Sequence, residues 1–264
     1  MGILRPEGKT MSKLGDRIRK TMHVEAAPIG FRAVRPAKSP ALLVTVLLDG
    51  DGKGKVAAAV EKGAGAIVLR GAEPDDVKAA AEAAGEVPCG VWPEKVDAET
   101  IAALVEAGAD FMVFDAEATP ATALLEDKPG YVLLLGGAPE DTYLRILESV
   151  ALDGVLLDGW SGPLTLRKQV ELRRIAGLTR KPLMLPVSLP IESGDLECLR
   201  DAGVSVLAVD GGDARALDEL PSLVQAIEAL PGPRRRRETA LEVLLPRAAE
   251  MAAEEEDEED EEGE

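Results

Sequence analysis

The sequence has few of the residues that most often carry enzyme chemistry. It contains one histidine, His23, two cysteines, Cys89 and Cys198, and only 3% aromatic residues. The cysteines show no CxxC or other metal-ligand spacing, and so low a number indicates a reducing compartment. We therefore interpret both cysteines as packing residues, and a histidine outside any candidate site is weak support for catalysis.

Long hydrophobic runs and familiar catalytic motifs are also missing. No apolar run approaches the roughly 20 residues that cross a bilayer, and the N-terminal residues lack the apolar core of a signal peptide. We therefore expect a cytoplasmic protein without a transmembrane segment. GxSxG, HExxH and P-loop patterns do not occur, which leaves the common hydrolase, zinc-protease and NTPase chemistries without a signature.

Positive charge is scarce except at the N-terminal end. The net charge is −18, but residues 1–40 carry nine Lys or Arg against three acids, and residues 233–264 carry five Arg against thirteen acids. The part between them has a charge of −16. Such a body repels phosphate backbones, so nucleic acid is excluded as its ligand.

The charge distribution predicts three parts, residues 1–40, 41–231 and 232–264. In the first, Leu14, Ile18 and Met22 recur every four residues among basic side chains, which predicts a short amphipathic helix over residues 12–22. This helix either plugs one end of the main domain or contacts a membrane surface or protein partner. In the last part, ten of the final eleven residues are acidic, a pattern typical of a disordered, solvating tail.

The middle part alternates apolar runs with amphipathic segments. The runs are typical of buried parallel strands, and prolines near acids mark several helix starts, as at Glu73-Pro-Asp. Glycines such as Gly63 and Gly108 follow the helices as C-terminal caps. Eight strands are predicted, at residues 41–49, 65–70, 88–92, 110–115, 130–135, 154–158, 182–187 and 204–210.

An internal repeat indicates how these strands are arranged. A small-residue turn, an apolar run and then a charged residue occur at Ala107–Glu117, and related phrases end at Arg70, Asp158 and Asp210. These phrases fall on the even-numbered strands, whereas odd-numbered strands often begin after proline. The chain thus resembles the TIM (β/α)8-barrel superfamily over residues 41–231. A doubly wound open sheet also alternates, but it usually has fewer strands, and no GxGxxG follows the first strand.

The barrel resemblance places a candidate active site at the carboxyl ends of the strands. Arg70, Asp115, Asp158 and Asp210 occupy equivalent positions on alternate strands, and Glu117 lies on the same strand face as Asp115. If these side chains point inward, the crowded carboxylates favour a divalent cation such as Mg²⁺, a bound amine, or one carboxyl acting as general acid. We therefore name all five as candidate catalytic residues, with Asp115, Asp158 and Asp210 as candidate metal ligands.

A structural interpretation of the same residues stays open. Asp-Gly pairs such as Asp158-Gly159 are ordinary turn sequences, and an aspartate at a strand end often binds the backbone of its own loop. The two tryptophans, Trp92 and Trp160, also follow predicted strand ends, where they either line the site or pack at its rim.

A second candidate site follows the eighth predicted strand. Gly211, Gly212 and Asp213 lead into a short helical piece that is predicted to end before Pro221, with the main helix running on to Leu230. This arrangement resembles the phosphate-binding branch of TIM barrels, which implies a phosphate-containing ligand at Gly211, Gly212 and Ser188. The match is partial, because Val187 to Pro190 lacks the usual glycine and Asp213 would repel an anion.

Two classes of function remain open. The first is a small-metabolite enzyme that uses the carboxylates for lyase or isomerase chemistry, with Mg²⁺ as a candidate cofactor. The second is a non-catalytic scaffold or assembly subunit that binds a protein partner through its terminal extensions or forms an oligomer. No lysine stands at a predicted strand end, which argues against a Schiff-base aldolase and leaves the enzyme hypothesis resting on carboxylates.

Overall fold

The computed structural model describes residues 12–22, 40–126 and 128–232. Residues 1–11, His23, the prolines Pro28 and Pro36, and the charged segment 233–264 with its acidic tail lie outside the described residues. In the part that is described, no helix is both long and apolar enough to cross a membrane.

Eight parallel strands close into a barrel in strict sequence order, with the last strand paired to the first. The predicted (β/α)8 TIM barrel is therefore confirmed. The strands are Leu43–Asp49 (β1), Ala66–Arg70 (β2), Cys89–Trp92 (β3), Phe111–Asp115 (β4), Gly130–Leu135 (β5), Gly154–Leu157 (β6), Leu183–Val187 (β7) and Val204–Asp210 (β8).

Helices follow most of the strands and cover the outside of the barrel, and one further helix precedes the first strand. Capping side chains begin several of them: Asp97 accepts from Thr100 N, and Thr165 accepts from Lys168 N. The helices are Lys13–Met22 (α1), Lys53–Glu61 (α2), Pro74–Ala84 (α3), Ala98–Glu106 (α4), Asp141–Leu147 (α5), Leu166–Thr179 (α6), Ser193–Asp201 (α7) and Ala214–Ala229 (α8).

Two predictions about helices were wrong. Only a 3-10 helix, Ala121–Leu125, lies between β4 and β5, where a full helix was expected. After β8 the chain forms one continuous helix, α8, although a break before Pro221 was predicted. The buried leucines Leu217, Leu220 and Leu223 lie on either side of this proline, and their burial favours a helix that continues through it.

The barrel interior is filled by one hydrophobic cluster, distinct from the larger cluster between strands and helices. Phe111 lies directly over Gly90, where a Cβ would approach the ring to 2.3 Å, so only glycine fits at that position of β3. The buried members of the interior cluster are Leu14, Ile18, Leu43, Leu47, Ala66, Val68, Phe111, Val113, Val132, Leu156, Met184, Val206 and Ala208.

Helix α1 closes the barrel at the end where the strands begin. Leu14 and Ile18 are fully buried among the interior residues, and each contributes about 2 kcal/mol of hydrophobic stabilisation by burial. The apolar face that could have contacted a membrane is therefore inside the barrel. Beside this apolar face, Arg17 donates hydrogen bonds to the carbonyl oxygens of Gly65 and Glu86.

Two aspartates hold the N-terminus of α1 against the barrel. Asp110, just before β4, accepts hydrogen bonds from the backbone amides of Lys13 and Leu14, both at 2.9 Å. Asp153, just before β6, accepts from the Ser12 hydroxyl at 3.2 Å. Carboxylates at a helix N-terminus satisfy free amides and complement the helix dipole.

The environment of Asp110 raises the pKa of two groups. Burial raises the pKa of the Asp110 carboxyl, with the nearby charge of Asp153 adding to the effect, and the hydrogen bonds from α1 oppose it. Burial, together with the Asp110 charge, also raises the pKa of the Cys89 thiol to about 12. Cys89 is thus a buried neutral thiol, in keeping with a packing role.

Candidate active site

Charged side chains end four of the strands at the opposite end of the barrel. Asp49, Arg70, Asp115 and Asp210 are the last residues of β1, β2, β4 and β8, and Asp158 directly follows β6. Side chains alternate between the two faces of a strand, and the residues two positions earlier belong to the interior cluster. All five side chains therefore leave the backbone on the axis side of the barrel.

Arg70 is the one cation of this group, and it lies between two carboxylates. Its Nη1 is 3.7 Å from Asp49 Oδ1 and 3.7 Å from Asp210 Oδ2. Both distances are those of ion pairs rather than of hydrogen bonds. The guanidinium also lies over the ring of Trp92, with its Cζ 5.9 Å from the ring centroid, in a cation–π contact.

Sequence reasoning placed Arg70 and Asp210 in one group but did not include Asp49. The β1–β2 register pairs Asp49 directly with Arg70, and the β1–β8 register brings Asp210 alongside Leu47. Asp49 is also the last residue of a predicted strand, but it was left out of the group because that strand, the first, is not one of the even-numbered strands.

A cavity of about 390 Å³ opens at the barrel mouth. Leu47, Leu134 and Leu156 are among its apolar lining residues, and Arg70 and Asp158 bring opposite charges to its wall. Trp92 and Trp160 both line this cavity. Of the two interpretations of the tryptophans, lining the site is therefore favoured over packing at its rim. We refer to this space as the mouth cavity.

Asp158 lines the mouth cavity and is held by one of its carboxylate oxygens. Its Oδ1 accepts a hydrogen bond from the Gly159 amide at 2.8 Å. A Cβ on Gly136 would lie 3.8 Å from its Oδ2, so the second oxygen faces the backbone of the neighbouring β5 loop. In the described part of the chain, no group donates a hydrogen bond to this Oδ2.

Asp115 and Glu117 lie outside the residues that line the mouth cavity. Asp115 Oδ1 accepts from the amides of Glu117 and Ala118, at 2.8 and 3.0 Å, so this carboxylate organises its own loop. Both side chains are exposed. The structure thus brings together Arg70, Asp158 and Asp210 at the mouth, while Asp115 and Glu117 face the β4 loop.

The expected metal triad of Asp115, Asp158 and Asp210 is not formed. Within residues 12–22, 40–126 and 128–232, no three His, Cys, Asp or Glu side chains lie close enough to hold a metal ion. The physical reason is local: each of the three carboxylates accepts an amide of the loop that follows its own strand. These residues therefore do not fit a Mg²⁺ ion.

The turn after β8 has little capacity left for a phosphate. The Gly211 amide donates to Leu47 O at 2.8 Å, and the Gly212 amide donates to Asp210 Oδ1 at 3.0 Å. Asp213 caps α8 by accepting from the Arg215 amide at 2.9 Å. The amides that would bind an anion are thus engaged within the chain, and two carboxylates stand beside them.

Ser188, the third residue expected to bind phosphate, lines a different cavity. This side cavity of about 360 Å³ lies between the loops after β6 and β7 and shares Trp160, Ser161 and Pro186 with the mouth cavity. Lys168 also lines it and donates to the carbonyl oxygen of Ser161. Sequence reasoning missed Lys168 because it lies in α6 rather than at a strand end.

Comparisons with known proteins identify the fold and no more. No family model matches the chain, and no curated protein matches its sequence. Among solved structures, a mutant tryptophan synthase α-subunit from Pyrococcus furiosus gives a TM-score of 0.55 at 15% identity, covering 71% of this chain and 98% of that one.

Two further structures show the same relationship. An aminoacrylate-bound tryptophan synthase from Mycobacterium tuberculosis gives a TM-score of 0.57 at 16% identity over 83% of this chain and 98% of that chain. Thiamine phosphate pyrophosphorylase from Pyrococcus furiosus gives 0.55 at 19% identity over 72% and 98%. This chain shares their fold. At such low identity, residue roles do not transfer between these proteins and this chain.

Proposed function

We propose that the protein is a small-metabolite enzyme whose substrate binds in the mouth cavity. The observation that carries the proposal is that Arg70 and Asp158 line the same cavity, walled by Trp92 and Trp160. A concave apolar site with a few convergent polar groups is the usual form of a small-ligand site, and in this fold it occurs at the carboxyl ends of the strands.

The charges around Arg70 favour a substrate that carries both signs. A purely anionic ligand would gain the guanidinium but would approach Asp49, Asp158 and Asp210 as well. A small zwitterion or hydroxy acid can place its carboxylate on Arg70 and its ammonium or hydroxyl group on a neighbouring aspartate. Because the Arg70 ion pairs are long, its donors can form hydrogen bonds with such a carboxylate.

Asp158 is the candidate acid/base residue of a lyase or isomerase reaction. One of its oxygens accepts a hydrogen bond from the Gly159 amide, and Oδ2, which accepts none from the described residues, is the oxygen that would take a proton from the substrate and return it. Mg²⁺ takes no part in this proposal, because the carboxylates do not converge on a metal site.

The alternative is a non-catalytic scaffold that binds a protein partner. The observation in its favour is that the strand-end carboxylates are hydrogen-bonded to their own loops, as they would be if they served only to shape the turns. The two hypotheses differ in one measurable respect, which is whether the mouth cavity binds a small molecule.

The test is thermal stabilisation of the full chain by small molecules. The panel contains free amino acids, small hydroxy acids and sugar phosphates, and the variants are Arg70→Gln and Asp158→Asn. The control is Asp75→Asn, which changes an exposed carboxylate in the first turn of α3. A zwitterion or hydroxy acid is expected to raise the Tm of the wild type and the control but of neither site variant.

Absence of any shift across the panel would favour the scaffold. A shift that Arg70→Gln leaves intact would also contradict the proposed site, since the ligand would then bind elsewhere. A response to sugar phosphates alone would contradict the proposed substrate class.

A further inference from the structure

Exposed apolar side chains are confined to one sector of the barrel wall. In the part of the chain that the structure describes, the large hydrophobic side chains on the surface all lie between β4 and the middle of α6. They are Leu125 in the 3-10 helix, Tyr143 and Ile146 on α5, and Leu166 and Val170 on α6. Leu125 and Leu166 are 77% and 75% exposed, so the helices of the barrel do not cover them.

The members of this apolar sector lie on adjacent surfaces. Arg174 donates to Asp141 Oδ1 at 2.8 Å and to Pro139 O at 2.6 Å, which joins α6 to the start of α5. Leu166 and Val170 lie two and one helical turns before Arg174, on the same stripe of α6. On α5, Tyr143 and Ile146 are spaced at i and i+3 and share one outward face.

Opposite charges border the apolar sector on its two sides. On the α6 side, Arg167 and Arg173 are exposed, and neither forms an ion pair with any residue that the structure describes. The other side is acidic, with Glu117 in the β4 loop and Glu126 after the 3-10 helix. Burial raises the pKa of the Tyr143 hydroxyl and the charges of Glu117 and Asp115 raise it further, which places Tyr143 beside this acidic border.

We propose that the apolar sector binds a second copy of the chain, forming a symmetric dimer. A twofold axis through α5 places the basic border of each protomer against the acidic border of its partner. The apolar side chains then meet at the centre of the interface, and the charges pair at its rim. This sector is self-complementary in charge, which is the property that an isologous interface requires.

The overall charge of the chain supports this choice of sector. Residues 41–232 carry a charge of −16, so most faces of two copies repel one another. Helix α6 is an exception, because it carries four Lys or Arg against one Glu. An exposed apolar patch next to it marks an association surface rather than an ordinary solvent-facing wall.

The experiment is sedimentation of the full chain over a range of concentrations. We expect the wild type to form a dimer at micromolar concentration and Ile146→Glu/Val170→Glu to raise the dimer dissociation constant by at least about tenfold, because two charges enter the apolar centre. The control, Ala79→Glu, adds a charge at an exposed position on α3 and should leave the dissociation constant unchanged.

Charge reversal tests the orientation of the two copies. Arg167→Glu/Arg173→Glu and Glu117→Arg/Glu126→Arg should each weaken the dimer, and the combination of all four should restore it. A monomer at every concentration would overturn the proposal. So would a dimer that Ile146→Glu/Val170→Glu does not weaken, or a fourfold variant no tighter than either pair.

Discussion

The two ends of the barrel use the same residue type in opposite ways. Strand β4 is bracketed by Asp110 and Asp115, and β6 is bracketed by Asp153 and Asp158. At the end where the strands begin, the aspartates reach across the fold to α1, over 97 and 141 residues of sequence. At the other end, each aspartate binds an amide within three residues of itself.

We expect the aspartates at the first end to contribute to stability and those at the other end to be available for binding. Asp110 and Asp153 hold a helix whose apolar residues complete the barrel interior, so their loss should weaken the fold. Asp115 and Asp158 are exposed and bind only their own loops, so the fold depends on them little. In this fold, binding sites occur at the carboxyl ends of the strands, where charged residues can be substituted without disturbing the core.

The largest expected change in stability is at the end of the barrel that α1 closes. Leu14→Ala should lower the free energy of unfolding by about 3 kcal/mol, because it opens a cavity among fully buried interior residues. Urea denaturation measures the change, and Lys78→Ala, at an exposed position of α3, serves as the control. Equal losses for the two variants would show that α1 does not pack as described.

The next effect compares the two ends of β4. Asp110→Ala should cost about 1–2 kcal/mol in unfolding free energy, since two amides of α1 lose their acceptor. Asp115→Ala should cost only about 0.5 kcal/mol, because its loop is exposed and water can replace the carboxylate. If Asp115→Ala proves the more costly of the two, the division between the ends is wrong.

A smaller effect compares the two ends of β6 in both stability and binding. Asp153→Asn should cost about 1 kcal/mol, because the amide group only partly replaces the carboxylate that accepts from Ser12. Asp158→Asn should leave stability unchanged to within about 0.5 kcal/mol. For ligands of the mouth cavity the order should reverse, with Asp158→Asn abolishing the ligand-induced rise in Tm and Asp153→Asn preserving it.

The smallest effect is the pH dependence that Asp110 contributes. Its pKa is raised in the folded state, so its contribution to stability is present below the ordinary value of 3.8 and is lost as the pH rises through the raised value. The Asp110→Asn variant lacks this pH-dependent contribution to stability. The stability advantage of the wild type over Asp110→Asn should therefore shrink as the pH is raised, and urea denaturation across the acid range would show it. An advantage that grows with pH would contradict the assigned direction of the shift.

The fold could be predicted from the sequence because its signals are local. Eight apolar runs, each bounded by proline or glycine, required no knowledge of distant contacts, and the other six helices that follow the strands could be predicted in the same way. The 3-10 helix Ala121–Leu125 and the continuous α8 were missed because packing decided both, through Tyr131, whose hydroxyl donates to Ala123 O, and through the leucines around Pro221.

The candidate site could be predicted only in part. Strand periodicity predicted that Arg70, Asp158 and Asp210 lie together, and in the structure Arg70 pairs with Asp210 and lines one cavity with Asp158. Whether a carboxylate contacts its own loop or the neighbouring strands depends on its side-chain rotamer, which moves the oxygens by a few ångströms. Strand periodicity does not predict rotamers. The contacts of Asp110 with Lys13 and Leu14 could not be predicted either, because residues so far apart in sequence leave no local pattern.

The docking of α1 has a consequence for the order of folding during synthesis. The helix is made before any strand of the barrel, yet its partners Asp110 and Asp153 leave the ribosome about 100 and 140 residues later. Until then Leu14 and Ile18 have no interior to enter. Closing the base of the barrel is therefore a late, long-range step of folding.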